Sequence, residues 1–278
     1  MSATAPDQPS PPSAAPSTGP FPAPSLSGSE QTSQTSIERG RPSYSWRSGQ
    51  DRRLEMVRRF VDLEDARILD VGCGIGTYVR RFRQFSDDVH GIEVEPERVA
   101  EAADGGLPNI VLAVGEALPY PDDHFDLVFS NEVIEHVDDD RRTVAEMVRV
   151  TRPGGVIVAF APNRLYPFET HGAYIGGRYV FGNIPLVNWL PDPLRDRLAP
   201  HVRAYTQRSI RRLFVGQPVR LVHHRVIYPG FDNVSARHAR LGGLLRRALY
   251  FAEHTPLHVF GLSHFVVMRK MERRDPRG

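Results

Sequence analysis

The feature that most constrains this chain is the run from Ile68 to Gly76, ILDVGCGIG. A short apolar segment of strand character runs straight into Gly72, Gly74 and Gly76, and residues 76–85 then read as a helix. A strand that ends at glycines opening a helix puts its turn at the carboxyl edge of a parallel sheet, where open α/β folds bind ligands. Glycines suit such a turn because a Cβ would keep a ligand from the backbone.

The surrounding pattern agrees. Residues 50–64 have helical apolar spacing, 89–95 read as a strand, and Pro96 opens a helix in the favoured first-turn position. Strands follow at 110–115 and 125–130, a helix at 139–150, a turn at Pro153, Gly154 and Gly155, and a strand at 156–161. Beyond Pro162 the rhythm breaks. Residues 164–200 are rich in aromatics, Gly and Pro and read as an insertion; a helix at 205–214, a strand at 219–227, a second insertion at 230–262 and a last strand at 264–269 complete the chain. This alternation predicts an α/β, Rossmann-like, doubly wound, mostly parallel seven-stranded sheet, with insertions after strand 5 and before the last strand. Residues 1–40 form a Pro/Ser-rich tail too poor in large apolar groups to offset its ordering entropy, so it is expected to be disordered. Residues 41–278 form one domain, with 164–200 and 230–262 on the acceptor side.

Charge is distributed unevenly. The formal total of +2 hides an excess of eight acids over residues 37–163 and an excess of eleven basic groups over 201–278. One cysteine, Cys73, excludes an intrachain disulfide framework and a cysteine-based zinc cluster. No apolar run is long enough to span a bilayer and the start lacks the pattern of a secretory signal, so a cytoplasmic protein is expected.

Two classes of ligand use such a glycine turn. A dinucleotide fingerprint needs G-x-G-x-x-G so that helix amides meet a pyrophosphate. Here the spacing is G-x-G-x-G, with Thr77 where the third glycine would stand. Asp70, two residues before Gly72, would repel a pyrophosphate but can hold an ammonium group. S-adenosyl-L-methionine (SAM) carries an ammonium, a sulfonium and no phosphate, so the charge pattern favours it. Glu93, 17 residues after Gly76 at the end of the next strand, is placed to accept the ribose hydroxyls.

Five ordered motifs, at 68–76, 91–96, 116–126, 130–137 (SNEVIEHV) and 152–155 (RPGG), together resemble the class I SAM-dependent methyltransferases. Within these the chain is most similar to the small-molecule type 11 group that includes the ubiquinone-biosynthesis O-methyltransferases. The likeness is strong over 50–163 and weaker over 201–215 and the final strand. It implies SAM as cofactor, with Asp70, Gly72, Cys73, Gly74 and Gly76 around its methionine part and Glu93 on the ribose. Gly115 and Glu116 would flank the adenine, and Asn131 would line the methyl-transfer channel. The family often has an acid two residues before Glu116; Val114 stands there, so the adenine amino contact falls to Glu116 or to backbone.

SAM brings an already activated methyl, so the enzyme mainly aligns the reactants, an effect able to supply about 7–11 kcal/mol. A base is needed only where the acceptor must lose a proton. His136 and His171 are the catalytic candidates, the latter two residues from Glu169. Asp138, Asp139 and Asp140 read as a helix cap, and with no His or Cys set converging on them no metal is expected. The Asn/Asp-Pro-Pro-Tyr pattern of base and glutamine methylation is absent after the fourth strand. The expected reaction is methyl transfer to a small-molecule or lipid-like acceptor, at oxygen; an RNA or protein methyltransferase, or a non-catalytic SAM-binding scaffold, are the alternatives.

Leu241, Leu244, Leu245, Ala248, Leu249 and Ala252 form a helical stripe among Arg237, Arg240, Arg246 and Arg247. The favoured reading packs that stripe on the domain and leaves the basic face wet. The sharper one is peripheral contact with anionic membrane, which the resemblance also implies, since in ubiquinone-type enzymes an insertion after the fifth strand touches the membrane. Nucleic acid ranks below lipid, because no RNA-binding module accompanies the arginines. Oligomeric state leaves no mark on the sequence.

Overall fold

A strand covered on both faces must be apolar at consecutive positions, and β1 (Ile68–Val71) is buried at all four. In the computed structural model, which describes residues 48–232, 235 and 238–272, β1 lies near the middle of a seven-stranded sheet. The predicted tail at 1–40 lies outside the described residues.

The other strands are β2 (Val89–Glu93), β3 (Ile110–Leu112), β4 (Phe125–Asn131), β5 (Thr151–Pro162), β10 (Val219–Ile227) and β11 (Ser263–Lys270), in the spatial order β10-β11-β5-β4-β1-β2-β3. β3, β2, β1, β4 and β5 run parallel; β11 is antiparallel to both β5 and β10. The strand order reverses between β1 and β4, and this switch point opens the crevice in which the site lies.

Alternation along the strands splits the core in two. Ile68, Leu127, Phe129 and Val158 face α1 (Ser48–Arg58) and α2 (Thr77–Phe82) through Val57, Tyr78, Val79 and Phe82. Leu69, Val128 and Ile157 face α4 (Asp140–Val150) through Val144, Met147 and Val148. The remaining core-flanking helices are α3 (Pro96–Asp104), with Pro96 in its first turn, and α6 (Gln207–Arg212), capped by Thr206. Asp139 caps α4 by accepting from the Arg142 amide, as expected of the acidic triplet.

Several boundaries differ from the sequence reading. The turn expected at Pro153 to Gly155 is a bulge inside the long strand β5: Phe125 pairs with Thr151, but Leu127 pairs with Val156. The bulge takes up the residues that glycine and proline would otherwise turn out of the sheet. Helix 1 stops at Arg58, well before residue 64.

Residues 164–200 fold into two small ribbons, β6 (Phe168–Glu169) with β9 (Ile184–Pro185) and β7 (Ala173–Ile175) with β8 (Arg178–Val180), followed by α5 (Asp192–Leu198). Ala173, Val187, Ala199 and Val202 give the ribbons a small core of their own. Helix α7 (Ala239–Ala252) buries its apolar stripe only in part: Ala252 is buried and Leu245 and Leu249 are half-buried, but Leu241 and Leu244 are exposed. No helix among the described residues is long and apolar enough to cross a membrane.

Asn163 fastens the end of β5. Its side-chain Nδ2 donates to the carbonyls of Val259 and Gly261, each at 2.7 Å, and the residue is buried. Asn163→Ala leaves both carbonyls without this donor, so it should lower unfolding free energy by about 1–3 kcal/mol in urea denaturation. An unchanged midpoint would mean that solvent replaces the amide.

Candidate active site

A cleft of about 460 Å³ opens at the carboxyl ends of β1, β2 and β4. Its size suits a nucleoside-sized ligand. Asp70, Gly72, Cys73, Gly74, Glu93, Gly115, Glu116 and Asn131 all line it, together with both candidate histidines, His136 and His171. Gly76, the last residue of the motif, is not among the lining residues; it precedes α2 with φ +80°.

The floor is acidic and dry. Asp70 is 2% exposed and Glu93 4%. Burial, reinforced by the Glu93 charge, pushes the Asp70 carboxyl up to about 8. Glu93 does more than face the cleft. One of its oxygens accepts from the Gly74 amide at 2.8 Å, and the other from the Val94 and Glu95 amides at 2.9 and 3.1 Å. The carboxylate therefore ties the glycine turn after β1 to the end of β2.

Two of the glycines have a further reason within the chain itself. A Cβ on Gly72 would come within 2.5 Å of Val133 Cγ2, and one on Gly76 within 2.1 Å of Leu107 Cδ1. Both positions also have positive φ. The crowding at them comes from neighbouring loops of the chain itself, which is how the turn is pressed against the loop after β4. Cys73 is buried, and burial beside Asp70 raises its thiol far out of the reactive range.

Cofactor fit follows from these donors and acceptors. A diphosphate would meet two buried carboxylates, and the Gly74 amide that could cradle it is already given to Glu93. A cationic amino-acid moiety is what a buried acid of raised pKa would stabilise. Asp70 would hold the ammonium of SAM and Glu93 the ribose, while Val94, Ala113, Val114 and Gly115 line the adenine end. Glu116 there accepts from the Asp139 amide at 3.1 Å, which ties its loop to the start of α4.

Sequence reasoning missed Arg53. This α1 guanidinium lies over the Phe160 ring, donates to Asn131 Oδ1, and pairs with Glu132 at 2.8 Å. It fixes the loop after β4, where Glu132 adopts φ +56°, a conformation that non-glycine residues rarely take. Burial would raise the Glu132 carboxyl, but Arg53 and the Ser263 hydroxyl hold it below the usual range. An arginine in an amphipathic helix carries no sequence signal for that task.

The roof comes from the first insertion. Thr170, His171 and Phe181 of that insertion line the cleft. Glu169 Oε1 accepts from both His171 Nδ1 and its backbone amide at 3.0 Å, and Glu169 Oε2 accepts from buried Arg195 at 3.0 Å. His136 is also at hand, its ring 5.0 Å from that of His171. Burial, then the neighbouring His171, depresses His136 to about 3, and its Nδ1 donates to the His201 carbonyl at 3.3 Å.

Comparison with known proteins agrees with this geometry. Residues 69–159 match the family model described as a methyltransferase domain. Norajmaline N-methyltransferase of Rauvolfia serpentina is 37% identical over 132 residues, 42% of this chain and 45% of that one. A protein of Oryza sativa subsp. japonica named "Probable tocopherol O-methyltransferase, chloroplastic" is 40% identical over 112 residues, 37% of this chain and 31% of that one. The chain thus spans less than half the length of these relatives. Among solved structures, an S-adenosylmethionine-dependent methyltransferase from Mesorhizobium loti superposes with a TM-score of 0.56 at 19% identity, covering 78% of this chain and 96% of the other. The [4+2]-cyclase SpnF gives 0.54 at 19% identity over 82% and 83%. A cyclase on the same fold shows that the fold by itself leaves the reaction open.

The sheet is the Rossmann-like one of class I SAM-dependent methyltransferases. Residues 69–159 carry the match to the methyltransferase domain model.

The raised Asp70 carboxyl gives this assignment a pH signature. A cationic ligand favours the ionised acid, so binding below about pH 8 must release a proton. SAM affinity should fall as pH falls below that value, approaching tenfold per pH unit, and Asp70→Asn should flatten the dependence. Calorimetry in buffers of differing ionisation enthalpy measures the proton directly; a pH-independent affinity in the native chain would contradict the assignment.

Proposed function

We propose that the chain transfers the methyl group of SAM to a small-molecule or lipid-like acceptor at an oxygen atom. The observation that carries this reading is that one cleft is lined both by the buried acids Asp70 and Glu93 and by His171, held by Glu169, with Phe181.

Bound SAM supplies a methyl on a sulfonium, a leaving group that needs no further activation. The chain's own residues bind, orient and exclude water. Asp70 fixes the ammonium end and Glu93 the ribose, so the methyl would point past Asn131 toward the roof. Arg53 holds Asn131 in place by hydrogen bonding to its side-chain oxygen. The insertion closes over the cleft, and alignment of donor and acceptor then provides most of the rate. His171 is the group that acts on the acceptor hydroxyl: Glu169 engages its Nδ1 and leaves Nε2 on the cleft side, 4.0 Å from Glu135.

An apolar acceptor body is supported by the outer surface. Phe181 is 59% exposed at the rim, and Leu186, Trp189 and Leu194 beside it are also exposed. Trp189 packs on Phe260, and Leu244 and Phe251 of the arginine-bearing helix α7 are exposed as well. Apolar groups flanked by cations favour peripheral contact with anionic lipid, from which a lipid-like acceptor would enter. Co-sedimentation with anionic liposomes at low salt should retain the chain on the pellet; a chain left wholly in the supernatant would end this part of the reading.

The transfer itself is tested by incubating the full chain with methyl-labelled SAM and fractionated cell extract and identifying labelled products by mass spectrometry. His171→Ala should lower turnover about 100-fold and leave SAM affinity nearly unchanged. Equal loss of SAM binding would make the residue structural. SAM bound without any labelled product would favour a scaffold over an enzyme.

A further inference from the structure

The roof side of the cleft holds a cluster that alignment alone does not use. Glu135 is 1% exposed, and neither of its carboxylate oxygens has a hydrogen-bond partner. A buried carboxylate left in that state is strongly unfavourable unless a proton or a cation neutralises it. His136 and His171 face it: one ligand-capable atom from each of the three lies within 4.8 Å of the others, and His171 Nε2 stands 4.0 Å from Glu135 Oε1. His136 and His171 both border the cleft.

We propose that Glu135, His136 and His171 form a binding site for a first-row divalent cation, Zn²⁺ being the best match, with its open coordination position toward the acceptor end of the cleft. Two imidazoles and one carboxylate are a common three-ligand set for a site that keeps a position free. Tetrahedral bonds of about 2.0–2.2 Å hold donor atoms roughly 3.4 Å apart, so the observed cluster needs only a small contraction.

The surroundings are those of a ligand set held in advance. Metal-bound histidines nearly always donate their second ring nitrogen to a carboxylate or a carbonyl. Here His171 Nδ1 is engaged by Glu169 at 3.0 Å and His136 Nδ1 by the His201 carbonyl at 3.3 Å, which leaves Nε2 of each ring for the cation. Arg195, buried and also bonded to the Val202 carbonyl at 2.8 Å, anchors Glu169 in turn. Glu169 and Arg195 are positioning residues in this arrangement, which gives the buried ion pair of the insertion a purpose.

A cation at this point would polarise an acceptor hydroxyl and lower its pKa; His171 Nε2 then holds the cation and acts on the hydroxyl through it rather than directly. The inference therefore deepens the proposed reaction, and that role rests on it; the cation site itself does not.

The test uses the full chain, stripped with a chelator and titrated with Co²⁺, then with Zn²⁺ as competitor. One equivalent of Co²⁺ should bind with the intense visible bands of a four- or five-coordinate site and be displaced by Zn²⁺. Glu135→Gln should weaken Zn²⁺ at least 100-fold, and Glu169→Gln roughly 10-fold, with SAM affinity on the same samples unchanged. Absence of stoichiometric Co²⁺ binding in the native chain, or unaltered Zn²⁺ affinity in Glu135→Gln, would overturn the proposal. Should Glu135→Gln lose SAM binding through misfolding, the native chain decides: absence of one-to-one Co²⁺ binding, or of its displacement by Zn²⁺, overturns the proposal. Cation binding without SAM binding in the native chain would leave this site standing and remove the methyl-donor reading instead.

Discussion

The carboxylate of Glu93, bonded to the amides of Gly74, Val94 and Glu95, is the interaction on which the rest of the site depends. It joins the turn after β1 to the end of β2 across the parallel pair, and so fixes the cleft at the point where the sheet order reverses. It also buries one negative charge beside another. Asp70 and Glu93 repel each other in a dry environment, which raises Asp70. A chain keeps such a pair where the field is used, and the use that fits is the stabilisation of a cation.

How much of this was legible in the sequence follows from the range of the forces involved. β10, Val219–Ile227, and the helix capped by Asp139 were readable because strand burial and capping are set by neighbours along the chain. Part of the floor was readable for the same reason, since Asp70, Gly72 and Gly74 lie within five residues at the end of β1. Arg53, Glu132 and Glu135 were not, because their roles depend on contacts between segments far apart in sequence. The crowding of Gly72 by Val133 and of Gly76 by Leu107 was not legible either, because those neighbours lie in other loops. The stripe on α7 has a clean helical period, yet period alone does not say which surface will cover it, and Leu241 and Leu244 stay exposed.

The two halves of the cleft are built differently. The floor belongs to the sheet and its rigid turns, common to the fold. The roof belongs to an insertion with its own small core and a buried Glu169–Arg195 pair. Removing either partner of such a pair strands a charge, at a cost of about 3–5 kcal/mol, so the insertion holds His171 firmly although it is made of short ribbons. Division of labour of this kind lets one donor site serve many acceptors, and the chain is similar both to a protein named as an N-methyltransferase and to one named as a probable O-methyltransferase.

The central claim is that an anionic floor selects a sulfonium donor over a diphosphate-bearing nucleotide. Calorimetric titration of the full chain with SAM and, separately, with NAD⁺ and a flavin dinucleotide tests it most directly. Saturable one-to-one binding of SAM with no heat from either dinucleotide is the predicted result. Saturable binding of a dinucleotide with none of SAM would contradict the account.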